Sequence, residues 1–194
     1  MTMGPAVTAP TAAAEPDELR TLPAMEGLTF RRATEDDVEA LRDLYVQLIP
    51  DARPTPEAMR ATLRDINASP RSGMVVVGEL NGRVVATCQL VIYCNLVRSP
   101  RVKAQVDSVV VDSALRGRGI GKRMMNWCLA KLRERNCARI IVATAYTREV
   151  AHKLYSRLGF VQSGYSFVLD GPPIEDGVDP GQVFTEAVIE EAAP

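Results

Sequence analysis

No stretch constrains this 194-residue chain more than residues 106–129, VDSVVVDSALRGRGIGKRMMNWCL. Three β-branched residues, Val109, Val110 and Val111, predict a buried strand. Asp112, Ser113 and Ala114 interrupt it, and RGRGIGK then sets Gly117, Gly119 and Gly121 at alternate positions. From there the period changes. Ile120, Met124, Trp127, Cys128 and Leu132 recur at the spacing of an amphipathic helix. The order is therefore strand, glycine-rich turn, helix N-terminus. The first turn of a helix leaves backbone N–H groups without intrahelical partners, and the macrodipole adds positive charge there. Glycines let such a backbone approach a ligand closely, and the ligand this favours is an anion, above all a phosphate or pyrophosphate. Arg116, Arg118, Lys122 and Arg123 add formal charge to the same place.

Two common phosphate loops are not matched. The nucleotide loop G-x-x-x-x-G-K-S/T fails because Arg116 stands five before Gly121 and Arg123 follows Lys122. The dinucleotide pattern G-x-G-x-x-G fails at Lys122, where its third glycine belongs. What remains is R-x-x-G-x-G on Arg116, Gly119 and Gly121, directly after a strand. This resembles the acetyl-CoA pyrophosphate loop of the GNAT family of N-acetyltransferases. The competing reading is a glycine-rich turn with no ligand.

The chain has the length of one domain with extensions at either end. Residues 1–26, rich in Ala, Pro and Thr, read as a disordered leader. Residues 27–170 carry the ordered patterns. Residues 171–194 hold six acids and no Lys or Arg, so without them the net charge of −1 becomes +5. Within that tail, Val183, Phe184, Ala187 and Val188 suit a short docking helix, on this body or a second copy in a homodimer, or a solvated tail. No apolar run is long enough to span a membrane, and no signal peptide pattern opens the chain, so a cytoplasmic address is expected. Cys88, Cys94, Cys128 and Cys137 lack metal or redox spacing and sit in apolar patterns, as buried free thiols do. The single histidine, His152, makes no metal site. It reads as a solvated helix residue or, alternatively, the partner of a cysteine.

The remaining chain reads in order. A strand at Leu28–Arg32 precedes a helix capped by Thr34 with Asp37, whose apolar face is Val38, Leu41, Leu44, Tyr45 and Leu48. Pro50 ends it, and Thr55-Pro56 opens a second helix that fades near Asn67. Strands over 74–80 and 83–94 flank the hairpin signal Asn81-Gly82. A loop with Arg98 leads into the strand over 101–111. After the loop helix comes a strand over 139–143, then a helix capped by Thr147. Its predicted face is Val150, Ala151, Leu154 and Leu158, with Gly159 as C′ residue. Residues 160–169 are predicted to be mostly strand. Hairpins combined with a crossover imply an α/β (α+β mixed) domain: a mixed sheet with helices on both faces.

That order resembles the whole GNAT domain over residues 28–169. A second motif carries the likeness further: Ala151, Tyr155, Gly159 and Phe160 fit the family's A-x-x-x-Y-x-x-x-G-F helix. The resemblance implies a central, splayed mixed sheet, with acetyl-CoA as co-substrate and no metal. It implies that the pantetheine arm pairs with backbone at Val109, Val110 and Val111, and that the pyrophosphate lies on Arg116, Gly117, Arg118, Gly119, Ile120, Gly121 and Lys122. A backbone N–H near Val109 would polarise the thioester carbonyl. Tyr155 matches the tyrosine that protonates the departing thiolate, though helix spacing also suits a core aromatic. Asp107 stands where relatives commonly carry Glu. It is expected to orient the amine or take its proton through water, or else simply faces solvent. Arg98, with Arg101, resembles a segment of enzymes acting on small amines and is expected to hold an acidic group of the substrate. Ordinary surface charge is the alternative.

These expectations define an acetyl-CoA-dependent N-acetyltransferase acting on a small primary amine. Acetylation of a protein or peptide amino group is the alternative within that class, and a non-catalytic acetyl-CoA-binding module is the alternative outside it. Nucleic acid is not an expected partner, because the basic residues coincide with the phosphate loop and lack interleaved aromatics.

Overall fold

The computed structural model describes residues 24–52, 54–96, 101–164 and 166–169. The expected acidic tail, most of the leader and Arg98 lie outside the described residues. The chain runs β1 (Leu28–Arg32), α1 (Val38–Leu48), α2 (Pro56–Ala68), β2 (Gly73–Leu80), β3 (Arg83–Asn95), β4 (Arg101–Val111), α3 (Ile120–Glu134), β5 (Arg139–Val142) and α4 (Glu149–Arg157).

One five-stranded sheet takes the order β1-β2-β3-β4-β5. The first four strands pair antiparallel and β5 joins β4 in parallel, so the sheet is mixed, as expected. Asn81 and Gly82 both take positive φ, 50° and 79°, as a two-residue hairpin turn between β2 and β3 requires. Thr34 and Asp37 form the predicted capping box, on a short 3-10 turn that leads into α1. The Thr55 hydroxyl caps α2 by accepting from the Ala58 N–H at 3.3 Å.

Side chains alternate across the strands, so each strand serves two cores. Val75 and Val77 face α1 and α2, with Val38, Leu41 and Leu63. Val76, Cys88, Leu90, Ala104 and Val106 face α3 and α4. The predicted stripe of α3 is buried at Ile120, Met124, Cys128 and Leu132, while Trp127 lies half-buried against Phe30. Helices thus cover both faces. β2 is inside both layers and is buried along most of its length, which explains its run of Met and Val without polar alternation.

Four expectations need correction. Residues 160–169 form no strand at the positions described, and Val161, Phe167, Val168 and Leu169 are all more than 80% exposed. Their β-prone composition supplies propensity only. A strand also needs a neighbour's backbone, and among the described residues the only strand pairing made by β5 is with β4. Helix α4 starts one residue later than Thr147 suggested, with Arg148 at the N-cap and no side-chain cap. Val150 is solvent-facing, because α4 turns Tyr155 rather than Val150 into the core. Cys94 is exposed near the end of β3, beyond the cover of α3, whereas Cys88 and Cys128 are buried with their sulfurs 3.5 Å apart.

Candidate active site

The loop predicted to hold phosphate is held in place at both ends. Asp112 is buried and caps the turn after β4 by accepting from the Ala114 N–H at 3.1 Å. It also pairs with Arg83. The Ser113 N–H donates to Gln47 Oε1 of α1 at 2.8 Å, and Arg116 Nε donates to the Val111 carbonyl at 3.0 Å. Gly119 is the N-cap of α3 at φ 77° and ψ 10°, a left-handed conformation that costs a residue with a Cβ about 1 kcal/mol or more. A Cβ on Gly117 would meet nothing within 4 Å, so the loop faces open space there. A Cβ on Gly121 would stand 3.5 Å from Val111 and 3.8 Å from Leu154, which lets α3 start close against β4 and α4. Arg116, Gly117 and Arg118 are exposed beside the first turn. The loop therefore presents first-turn N–H groups of a 15-residue helix together with cationic side chains, the combination that binds a pyrophosphate.

Immediately before this loop the sheet opens. Pairing of β4 with β5 covers Lys103 to Val106 against Arg139 to Val142 and stops there. β4 continues to Val111, so Asp107, Val109, Val110 and Val111 have no strand partner on that side among the described residues. A bulge marks the same point. Thr87 faces Val110 and Gln89 faces Asp107, so Ser108 and Val109 together oppose Cys88. Ser108 is left-handed at φ 50°, and its N–H donates to Asp107 Oδ1 at 2.7 Å. The bulge re-aims the backbone where the two strands part. The resulting open edge is a row of N–H and C=O groups available to an extended ligand.

Tyr155 comes to this region from α4. It is 8% exposed and packs edge-on to Phe160 at a ring separation of 5.8 Å. Burial pushes its phenol above the usual tyrosine range. The proximity of Cys88 and Asp107 adds to the rise, and Arg148 opposes it. Tyr155 is therefore protonated at neutral pH, the state a proton donor needs. Asp107 is exposed, on the sheet face that turns toward α1 and α2. Asp107 is thus close enough to Tyr155 to act on it electrostatically, and the Val109 to Val111 edge leads directly into the glycine loop. Arg98 lies outside the described residues.

Two residues with no site role assigned from the sequence belong to this neighbourhood. Tyr45 of α1 lies close to Thr87 of β3, and burial raises its phenol, with Thr87 opposing the rise. Periodicity placed Tyr45 on the core face of α1, but its polar end could be located only through the β3–β4 register. Arg148 at the start of α4 donates to the Leu48 carbonyl at 3.2 Å, tying α4 to the end of α1. Nothing in its local sequence distinguishes it from a surface arginine.

A parted pair of parallel strands beside a glycine-capped helix defines the acyl-CoA N-acyltransferase fold. The sequence profile of the acetyltransferase (GNAT) family matches residues 38–160. The chain belongs to that family and is an N-acetyltransferase. It is 32% identical over 121 residues to glucosamine 6-phosphate N-acetyltransferase 1 of Oryza sativa subsp. japonica, covering 61% of this chain and 72% of that one. It is 26% identical over 141 residues to the aminoalkylphosphonate N-acetyltransferase of Salmonella typhimurium, covering 71% of this chain and 88% of that one. Among solved structures, a putative acetyltransferase from Agrobacterium tumefaciens aligns with a TM-score of 0.68 at 31% identity, over 74% of this chain and 99% of that one.

Proposed function

We propose that this protein transfers the acetyl group of acetyl-CoA directly to the primary amine of a small molecule. The observation that carries this reading is the parting of β4 from β5 after Val106, beside the glycine loop that opens α3. Acetyl-CoA, the co-substrate of the family, supplies an activated acetyl thioester. Backbone N–H groups of the loop and first turn from Gly117 to Lys122, with Arg116 and Arg118, hold its pyrophosphate. The open backbone of Val109, Val110 and Val111 holds the pantetheine arm in extended form. The Val109 N–H donates to the thioester carbonyl oxygen, where negative charge develops as the amine attacks. Asp107 orients the amine and accepts its proton through water. Tyr155 donates its proton to the departing sulfur. Arg98 binds an acidic group of the acceptor. No residue needs to carry the acetyl group, because amine and thioester meet directly in the opening.

The two curated relatives above are named for an amino sugar phosphate and for aminoalkylphosphonates, both small primary amines. That shared chemistry supports a small amine over a protein amino group as the acceptor here. The test is a panel of small amines, amino sugars and peptides, scored for CoA release from acetyl-CoA. Turnover with a small amine is the expected result. Turnover with peptides alone, or failure of the protein to bind acetyl-CoA, would overturn the proposal.

A further inference from the structure

The sheet face that carries Asp107 remains open beyond it. Residues of opposite parity, Cys88, Leu90 and Ile92 on β3, Ala104 and Val106 on β4, and Ile140 and Val142 on β5, all point into the core under α3 and α4. Their alternates therefore point the other way. Register then fixes three rows on that face. Gln89 is opposite Asp107. One step on, Val91, Gln105 and Ile141 lie side by side. One step further, Tyr93, Lys103 and Arg139 lie side by side. Val91 and Tyr93 are each 37% exposed and Ile141 is 36% exposed, so α1 and α2 leave these rows partly open, with Ile66 of α2 lining the same cleft as Gln89 and Val91.

The last row holds two adjacent cations. Among the described residues neither has a carboxylate partner. Arg139 Nη2 donates to Ser163 Oγ at 3.2 Å, and among the described residues the Lys103 ammonium makes no side-chain hydrogen bond or ion pair. Two unneutralised cations one strand apart repel each other, and a single anion with several acceptor oxygens relieves that repulsion. The Tyr93 hydroxyl adds a neutral donor beside them. Four residues of strand separate Lys103 from Asp107, roughly 13 Å between their backbones at about 3.3 Å per residue. Long Lys and Arg side chains can shorten that span by several ångströms.

We infer that Lys103 and Arg139, with Tyr93 beside them, form an anion subsite for the acceptor, taking a phosphoryl or phosphonyl group while the amine lies at Asp107. This rests on the acetyltransferase reading and names the substrate class: a small amine that carries a tetrahedral dianion some way from its nitrogen. Gln105 and Ile141 line the path between the two ends.

The experiment uses the full chain with acetyl-CoA and ω-aminoalkyl phosphates of two to six carbons, each against the matching amino alcohol. The readout is the ratio of kcat/KM for phosphate over alcohol. Charge-assisted hydrogen bonds to such a group are worth about 10- to 100-fold each. The wild-type ratio is thus expected to exceed about 100 and to rise with chain length. Lys103→Ala combined with Arg139→Ala should bring the ratio toward one, and Lys103→Arg should keep most of it. Lys131→Ala, a cation change on α3 away from the site, should leave the ratio alone. A wild-type ratio near one, a ratio unmoved by the double substitution, or acetylation of the alcohols only would overturn the subsite. Absence of acetyl-CoA binding in equilibrium dialysis would instead overturn the acetyltransferase reading itself, and acetyl-CoA binding without turnover of any phosphate in the series would overturn the substrate class.

Discussion

Tyr155 owes its chemistry to its surroundings more than to its type. A phenol is a weak acid, and burial together with the proximity of Cys88 and Asp107 makes it weaker still, against the pull of Arg148. Such a group stays protonated at neutral pH and, in the proposed mechanism, can donate to the sulfur as negative charge develops there in the transition state. Tyr155→Phe removes one oxygen from a packed ring, so acetyl-CoA affinity should be nearly unchanged while kcat falls roughly 10²–10⁴-fold, as for loss of a general acid. Steady-state kinetics and equilibrium binding on the same preparation check this. Since the protonated phenol is the active form and its pKa is raised, the alkaline fall in rate due to Tyr155 should lie above about pH 10, the ordinary tyrosine value. Arg98→Ala should raise KM for an anionic amine and spare acetyl-CoA affinity. The reverse pattern would move Arg98 to the CoA side of the site.

At the scale of elements, β4, the glycine loop and α3 act as one unit. The strand supplies an open edge, the loop turns the chain in a left-handed step at Gly119, and the helix points its N-terminus at the opening. Gly119→Glu would strain that step and place a carboxylate where the proposed mechanism puts the pyrophosphate. Acetyl-CoA affinity should fall below detection by calorimetry while circular dichroism shows the fold retained. Unchanged affinity in a folded variant would show that the loop does not hold the cofactor. This unit was legible in the sequence, because its parts are local: a β-branched run, alternate glycines, then an apolar stripe at helical spacing. Residues 160–169 were not, although they carry similar β-prone residues. Strand formation there depends on a partner at the β5 edge, and no local pattern reports whether that partner exists.

Across the whole molecule, one ion network joins the beginning of the chain to the hairpin in its middle. Arg31 of β1 donates to both Asp37 oxygens, at 2.7 and 2.8 Å, and to Glu79 of β2, at 3.0 and 2.9 Å. Asp37 is buried and also accepts from the Thr34 N–H at 2.8 Å. Burial alone would raise its carboxyl, but the Arg31 and Thr34 bonds outweigh it and hold the group below the usual aspartate value. Its contribution is therefore fully present above about pH 4, the unfolded aspartate value, and is lost as pH falls through the lower folded value. Asp37→Asn should cost about 1–2 kcal/mol at neutral pH, discounted for the solvent around the half-exposed Arg31. It should also flatten the loss of stability below pH 4. Urea unfolding at pH 7 and pH 3 measures both effects, and an equal cost at the two pH values would argue against the network.

Taken by itself, the sequence determined what short-range sterics and periodicity control: the strands and helices up to α4, the hairpin at Asn81-Gly82, the cap at Thr34, and a glycine-rich turn into a helix N-terminus at residues 116–122. Each of these depends on neighbours within a few residues, so each leaves a local pattern. Only the tertiary structure decided where β4 leaves β5, that a bulge at Ser108 lies beside that point, and that Tyr155 rather than Val150 enters the core. It also decided that Lys103 and Arg139, 36 positions apart in the chain, stand in adjacent positions on one open face. These are consequences of register between distant segments, and register is set by which apolar faces bury each other when the whole sheet closes against its helices.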